Sequence, residues 1–305
     1  MKKLTSLLLA FALVFALVGC GGKKDEPAAE ADNAAEQTEG ALEAEAVPVE
    51  DNETEAAPEV NTEETGSETG AAAEVTDDTQ AAGAQKSEGV MTYAEYMAAD
   101  LDTEVVVETY VQAKQSWWED KATLYTQDQD GAYFIYNAVC SETDYAKLTP
   151  GTKIKVTGYK TEWAGEVEVA EGATIEIEDG SFTASATDVT DLLGKEEELI
   201  KHQNQFVSFK GMTVETYEKD GQSYDCAFVY NDDNSGSADS NSDLYFNVSK
   251  DGQTYTFCVE SYLCDSSTDV YKAVENLKVG DTVDMEGYLY WYEGVNPHIT
   301  SVTVK

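Results

Sequence analysis

Apolar positions along this chain follow two rhythms, separated by a long stretch with none. After Met1-Lys2-Lys3 comes an unbroken apolar run from Leu7 to Val18. From about Met91 to Lys305, apolar and polar residues alternate in short blocks rich in Val, Tyr and Phe, the period of half-buried strands. Between them, residues 21–90 hold mainly Ala, Glu, Thr, Asp and Gly, with no aromatic and only Leu42 as a large aliphatic other than valine.

The alternating blocks predict two similar series of elements. In the first, a strand "TEVVVETYVQ" starts at Thr103, and the hairpin "ATLYTQDQDGAYFIYN" turns at Asp130-Gly131. A strand from Gly151 and the closing strand "EVEVAEGATIEI" from Glu166 complete it. The second series reads "NQFVSFKGMTVETY" from Asn204, "SYDCAFVYN", a polar stretch, "LYFNVSKDGQTYTFCVE" with an Asp251-Gly252 turn, and finally "HITSVTVK" from His298. Short helix signals precede each series, "MTYAEYMAAD" with Thr92 as N-cap and "TDVTDLLGKEEE" from Thr187. Further helix signals stand before each fourth strand, from Thr143 and from Thr268. The fourth strands repeat most closely. At a fixed offset of 129 residues Gly151 falls on Gly280, Gly158 on Gly287, Tyr159 on Tyr288, Trp163 on Tyr292 and Gly165 on Gly294. Such self-similarity marks a duplicated unit.

Five strands and short helices in about 80 to 110 residues, with no βαβ rhythm, predict a small closed antiparallel barrel. Gly158 and Gly287, inside strand patterns, predict a bend or bulge at a barrel corner. The run "LYTQDQDGAYFIYN…LTPGTKIKVTGYKTEWAGEVEV" resembles the oligonucleotide/oligosaccharide-binding (OB) modules of bacterial exported proteins, and "LKVGDTVDMEGY" with "WYEG" repeats the resemblance in the second copy. The second hairpin departs from the pattern through its inserted polar stretch. The expected architecture is all-β: two OB-like barrels with short helices, residues 91–182 and 183–305, behind a disordered acidic linker.

The start of the chain adds a location. A basic start, a 12-residue apolar run and small residues before a cut describe an export signal over residues 1–20. Leu17-Val18-Gly19-Cys20 resembles the lipobox of bacterial lipoproteins, which implies acylation of Cys20 and a membrane-anchored, extracytoplasmic or cell-surface protein. Residues 21–90 lack the apolar surface to offset the entropy of ordering them and are expected to be a disordered tether.

Charge and chemistry narrow the function. The chain carries 60 acidic residues and 19 basic ones, all lysine, for a net charge of −41. The absence of arginine and this net charge lead to the expectation that nucleic acid is disfavoured, with an extracellular glycan or protein as partner. On OB barrels the binding loops join strands 1 to 2 and 4 to 5. Those loops place Trp117, Trp118 and Trp163 in the first barrel, and Tyr290, Trp291 and Tyr292 in the second, as candidate stacking residues. Asp239, Asn241 and Asp243 have the alternation of a calcium loop, but Leu244 and Lys250 stand where its glycine and closing glutamate belong, so no metal is expected. His202 and His298 lie far apart in sequence, and His298 beside Pro297 reads as an exposed strand-entry residue. No catalytic constellation is legible, and no cofactor. Of Cys140, Cys226, Cys258 and Cys264, the pair Cys226 and Cys258 is the best candidate bridge, on adjacent runs of one barrel. The reading is a lipid-anchored protein bearing two non-catalytic binding modules. The alternatives are a structural or envelope-assembly lipoprotein and a nucleic-acid-binding accessory module.

Overall fold

Alternation in the first series closes a barrel in the computed structural model, which describes residues 86–305. Helix α1 (Tyr93–Ala98) starts where Thr92 accepts from the Glu95 amide while the Glu95 carboxylate accepts from the Thr92 amide, and it sinks Tyr96 into the core. Strands β1 (Glu104–Lys114), β2 (Lys121–Gln127) and β3 (Ala132–Val139) form a meander. Helix α2 (Glu142–Tyr145) then leads to β4 (Thr152–Trp163), β5 (Glu166–Val169) and β6 (Thr174–Ser181). The order β1-β2-β3-β5-β4, with β4 returning to β1, is that of an OB barrel. Val105, Val107, Leu124, Ile135, Ile154 and Val156 fill it.

The second series repeats the plan with additions. A two-residue strand β7 (Thr187–Asp188) and helix α3 (Glu196–Leu199) precede β8 (Phe206–Glu215). A small hairpin, β9 (Glu218–Lys219) with β10 (Gln222–Ser223), and the edge strand β11 (Phe228–Tyr230) are inserted next. Strands β12 (Leu244–Lys250) and β13 (Gln253–Val259), helix α4 (Asp269–Glu275), β14 (Thr282–Tyr288) and β15 (His298–Val304) complete the barrel, which β12 closes onto β8. Thr268 caps α4, as its sequence signal predicts. The fold is thus two OB barrels with few short helices.

The two glycines inside strands answer to close packing. A Cβ on Gly287 would lie 2.3 Å from the His298 carbonyl, at a register shift between β14 and β15, and one on Gly158 would lie 2.7 Å from Val169 and Ala173.

Three expectations need correction. The segment from Thr187 is not one helix: Asp188 accepts from the Thr190 amide and hydroxyl, and Gly194 takes φ of +78°, so it breaks into strand, turn and helix. The closing strand of the first copy splits into β5 and β6 at the Glu171-Gly172 turn. The Cys226–Cys258 bridge does not form, and all four described cysteines are free thiols. Strand β12 lies between the run carrying Cys226 and β13, so the two sulfurs are separated by about two strand spacings, roughly 10 Å, beyond disulfide reach. The export signal, Cys20 and nearly all of the acidic linker lie outside the described residues.

Candidate ligand cleft between the barrels

In β3 the core takes Tyr133 and Ile135, so Phe134 and Tyr136 point outward. Strand β5 reads Glu-Val-Glu-Val: Val167 and Val169 pack inward, and Glu166 and Glu168 share the outer face. Phe134 pairs with Glu168 across the two strands. This outer sheet face of the first barrel is where the second barrel docks.

Tyr125, Phe134 and Tyr288 are buried together with Phe206, Leu263 and Tyr290 around them. The Tyr125 hydroxyl lies 2.6 Å from His298 Nδ1, and its ring is 4.7 Å from that of Tyr288. His298 stacks on Tyr290 at 4.3 Å. It is therefore a buried joint residue, not an exposed strand entry, because its strand begins inside the inter-barrel contact; burial drives its pKa down to about 3. Polar contacts surround this patch. The Trp291 amide donates to Glu166 at 3.0 Å, Gln203 to the Gly165 carbonyl at 2.8 Å, the Phe206 amide to Gln127 at 2.8 Å and the Ser116 amide to the Tyr262 carbonyl at 2.7 Å. The two repeated turns meet directly: the Glu293 amide donates to the Ala164 carbonyl at 2.8 Å, and Gly165 lies against the Trp291 ring.

Beside this joint the barrels part to leave a cleft of about 520 Å³. Phe134, Tyr136, Trp163, Glu168 and Gln115 line it from the first barrel. Tyr245, Cys258, Glu260, Asp243, Tyr290, Tyr292, Asn296 and His298 line it from the second. Trp163 and Tyr292, equivalent in the repeat, are 62% and 48% exposed at its mouth. A neighbouring cleft of about 340 Å³ shares Gln115, Tyr136 and Glu260 and adds exposed Trp118 and Tyr262. Together they make an aromatic track from Trp163 to Trp118. Its volume and mixed lining suit an organic ligand.

Three carboxylates sit in this track. Glu168 is only 7% exposed, and burial pushes its pKa up to about 7. Glu260 is equally buried and also rises to about 7, although it accepts from the Tyr262 and Leu263 amides at 3.0 and 2.9 Å and from Gln115 at 3.1 Å. Asp243 accepts from the Ser261 amide at 2.8 Å. Behind them Glu166, fully buried, is raised well above the carboxylate range by burial.

The sequence candidates separate. Trp163, Tyr290 and Tyr292 enter the cleft and Trp118 the adjoining one. Trp117 turns back on its own barrel and donates to the Cys140 carbonyl at 2.9 Å, and Trp291 is 4% exposed within the joint. Asn241 accepts from the Ser266 amide and Asp243 from that of Ser261, so these oxygens serve the backbone. Among the described residues no group of three or more His, Cys, Asp or Glu gathers to hold a metal. Sequence reasoning passed over Tyr136, Tyr245, Glu168 and Glu260. The available signal was alternation: "YFIYN" and "EVEV" put two aromatics and two acids on one outer face.

No family model matches the chain, and no curated protein does. Solved structures match coarsely. The tetrameric p202 HIN2 structure shows 12% identity over 68% of this chain and 96% of its own, with a TM-score of 0.29. The Ifi202 HINa domain in complex with 20-bp double-stranded DNA shows 11% identity, 67% and 96% coverage, and a TM-score of 0.30. A replication protein A heterotrimer bound to single-stranded DNA shows 11% identity, 66% and 49% coverage, and 0.26. The expectation that nucleic acid is a disfavoured partner is corrected by these DNA complexes. Net charge sums over the whole surface and does not decide what one cleft accepts.

Proposed function

We propose that this chain is a non-catalytic binding protein, held outside a bacterial membrane by acylated Cys20 and an acidic tether, that takes its ligand along the aromatic track between the two barrels. The observation that carries the reading is the gathering of Trp163, Tyr136, Tyr290 and Tyr292 from both repeats around one cleft beside a firmly joined interface. Rings stack on rings, and the carboxylates accept hydrogen bonds from ligand O–H or N–H groups. Sugars and nucleobases both present such a face, and each ring stacked is worth about 1–3 kcal/mol in single-strand binders.

Intrinsic tryptophan fluorescence of the full chain, titrated in parallel with oligosaccharides and single-stranded oligonucleotides, tests this. A saturable shift with either class, lost in Trp163→Ala, is expected. No shift with both, in folded protein, overturns the reading. Cys20→Ala tests the anchor separately, by moving the protein from the membrane to the soluble fraction.

A further inference from the structure

The centre of the cleft has a charge imbalance that stacking alone leaves unexplained. Glu168 is more than nine-tenths buried, lines the cleft, and receives no hydrogen bond to its carboxylate among the described residues. Glu260 lies on the opposite wall, its carboxylate fixed by two backbone amides and Gln115. Asp243 adds a third acid, and no lysine lines the cleft. A carboxylate so little hydrated and without a protein partner is costly to ionise, and a cation brought into the cleft would offset that cost.

We infer that the centre of the cleft receives an organic cation, an ammonium or quaternary ammonium group facing Glu168 and Glu260, with its carbon substituents against the surrounding rings. This rests on the cleft being the ligand site. A bare metal ion fits poorly, since hard cations need several converging oxygens and the walls here are mainly aromatic. Aromatic faces attract an ammonium group through their quadrupole, most strongly when it is desolvated, and Trp163, Tyr136, Tyr290 and Tyr292 are among the rings that line the cleft. The neighbouring acids add Coulombic attraction in a partly dry site.

Two matched pairs of probes separate charge from shape. Choline is compared with its neutral carbon isostere 3,3-dimethylbutan-1-ol, and glucosamine with glucose, by calorimetric titration of the full chain at millimolar concentration. The expected result is that the cationic member of each pair binds at least about 10-fold tighter. Glu168→Gln, or Glu260→Gln where the first fails to fold, weakens the cationic member of each pair by more than the neutral one and so removes this preference, whereas Trp163→Ala weakens both members. Equal binding within the pairs, still sensitive to Trp163→Ala, overturns the cation and leaves the cleft as the ligand site. Cation preference that survives both glutamine variants also overturns it. Silence with all four probes in folded protein overturns the inference and counts against the cleft itself.

Discussion

Strands β2 and β3 of the first barrel and β12 and β13 of the second hold the same place in the same fold, yet their outer faces differ in kind. The first presents Tyr125, Phe134 and Tyr136, which build the joint and the cleft. The second gives Tyr245 and Cys258 to the cleft but, further along the same strands, presents Asn247, Thr254 and Thr256 in a polar pocket of about 550 Å³, partly roofed by the β9–β10 hairpin through an Asn247 to Glu218 hydrogen bond of 3.1 Å. The repeated strands diverge likewise: Tyr159 is 53% exposed, while its equivalent Tyr288 is buried against Tyr125. Duplication preserved the inward alternation that closes each barrel and left the outward positions free to differ. One copy's outer face then became the seat of the other.

If the first barrel's face is the keystone, its loss has the largest effect. Tyr125→Ala removes a fully buried ring and the partner of His298, and should cost about 3–5 kcal/mol and split calorimetric unfolding into two transitions. A loss below about 1 kcal/mol with one transition would show that the barrels do not depend on this face.

Next is Glu168→Gln, read against pH. The wild-type carboxyl has a pKa of about 7 in the fold against 4.5 as its ordinary value, so between those pH values the folded state holds more protons. Wild-type stability from this group therefore falls as pH rises through that window. Glutamine lacks the penalty, so the variant should gain up to roughly 3 kcal/mol above pH 7, with the gain vanishing near pH 4.5. Glu260, Asp243, Glu166, Tyr290 and His298 face the same region and remain in both proteins. His298 works with the opposite sign: its pKa is lowered, so it costs stability as pH falls below 6.5, and it largely cancels in the difference. Denaturant unfolding at several pH values checks this, and a pH-independent difference would remove Glu168 from the buried set.

The third effect contrasts two tryptophans. Trp163→Ala, at the mouth, should weaken binding of a stacking ligand by about 1–3 kcal/mol and change stability by less than about 0.5 kcal/mol. Trp291→Ala, inside the joint, should lower the melting temperature instead. A stability loss at Trp163 would make it a joint residue as well.

The barrels were legible because their information is local: period-two alternation, Asp130-Gly131 and Asp251-Gly252 turns, and the caps Thr92 and Thr268 each lie within one element. The cleft was legible only in part. Trp163, Tyr290 and Tyr292 announce themselves by type and loop, whereas Glu168 and Glu260 look like two more acids in an acidic chain. What distinguishes them is burial by a second barrel, a contact between positions more than ninety residues apart in sequence. The same holds for His298, whose local setting beside Pro297 indicates exposure and whose actual neighbours are Tyr125 and Tyr290. The misplaced Cys226–Cys258 bridge arose because adjacency along the chain is not adjacency in a sheet once β11 enters at the edge.

A smaller effect belongs to the second barrel's polar face. Asn247→Ala breaks the bonds to Glu218 and Thr256 and should cost about 0.5–1.5 kcal/mol in a single transition, with no change in ligand binding. A loss as large as that at Tyr125 would erase the contrast between the faces.

The smallest effect is one of zero. Cys140 and Cys264 follow the third strand of their respective barrels, and Cys258 lies within the third strand of the second. All three are buried thiols, and burial raises the pKa of Cys264 to about 12 and that of Cys258 well above the ordinary thiol value. Thiolate is the reactive form, so these groups are chemically quiet while the fold holds. Reductant should leave the melting temperature unchanged, and thiol labelling of native protein should begin at half-exposed Cys226, whose Sγ contacts the Phe228 carbonyl at 3.0 Å. A drop in melting temperature on reduction would reveal a bridge and require β11 to pair elsewhere. Fast labelling of Cys258, which lines the cleft, would mean that the barrels open at the joint.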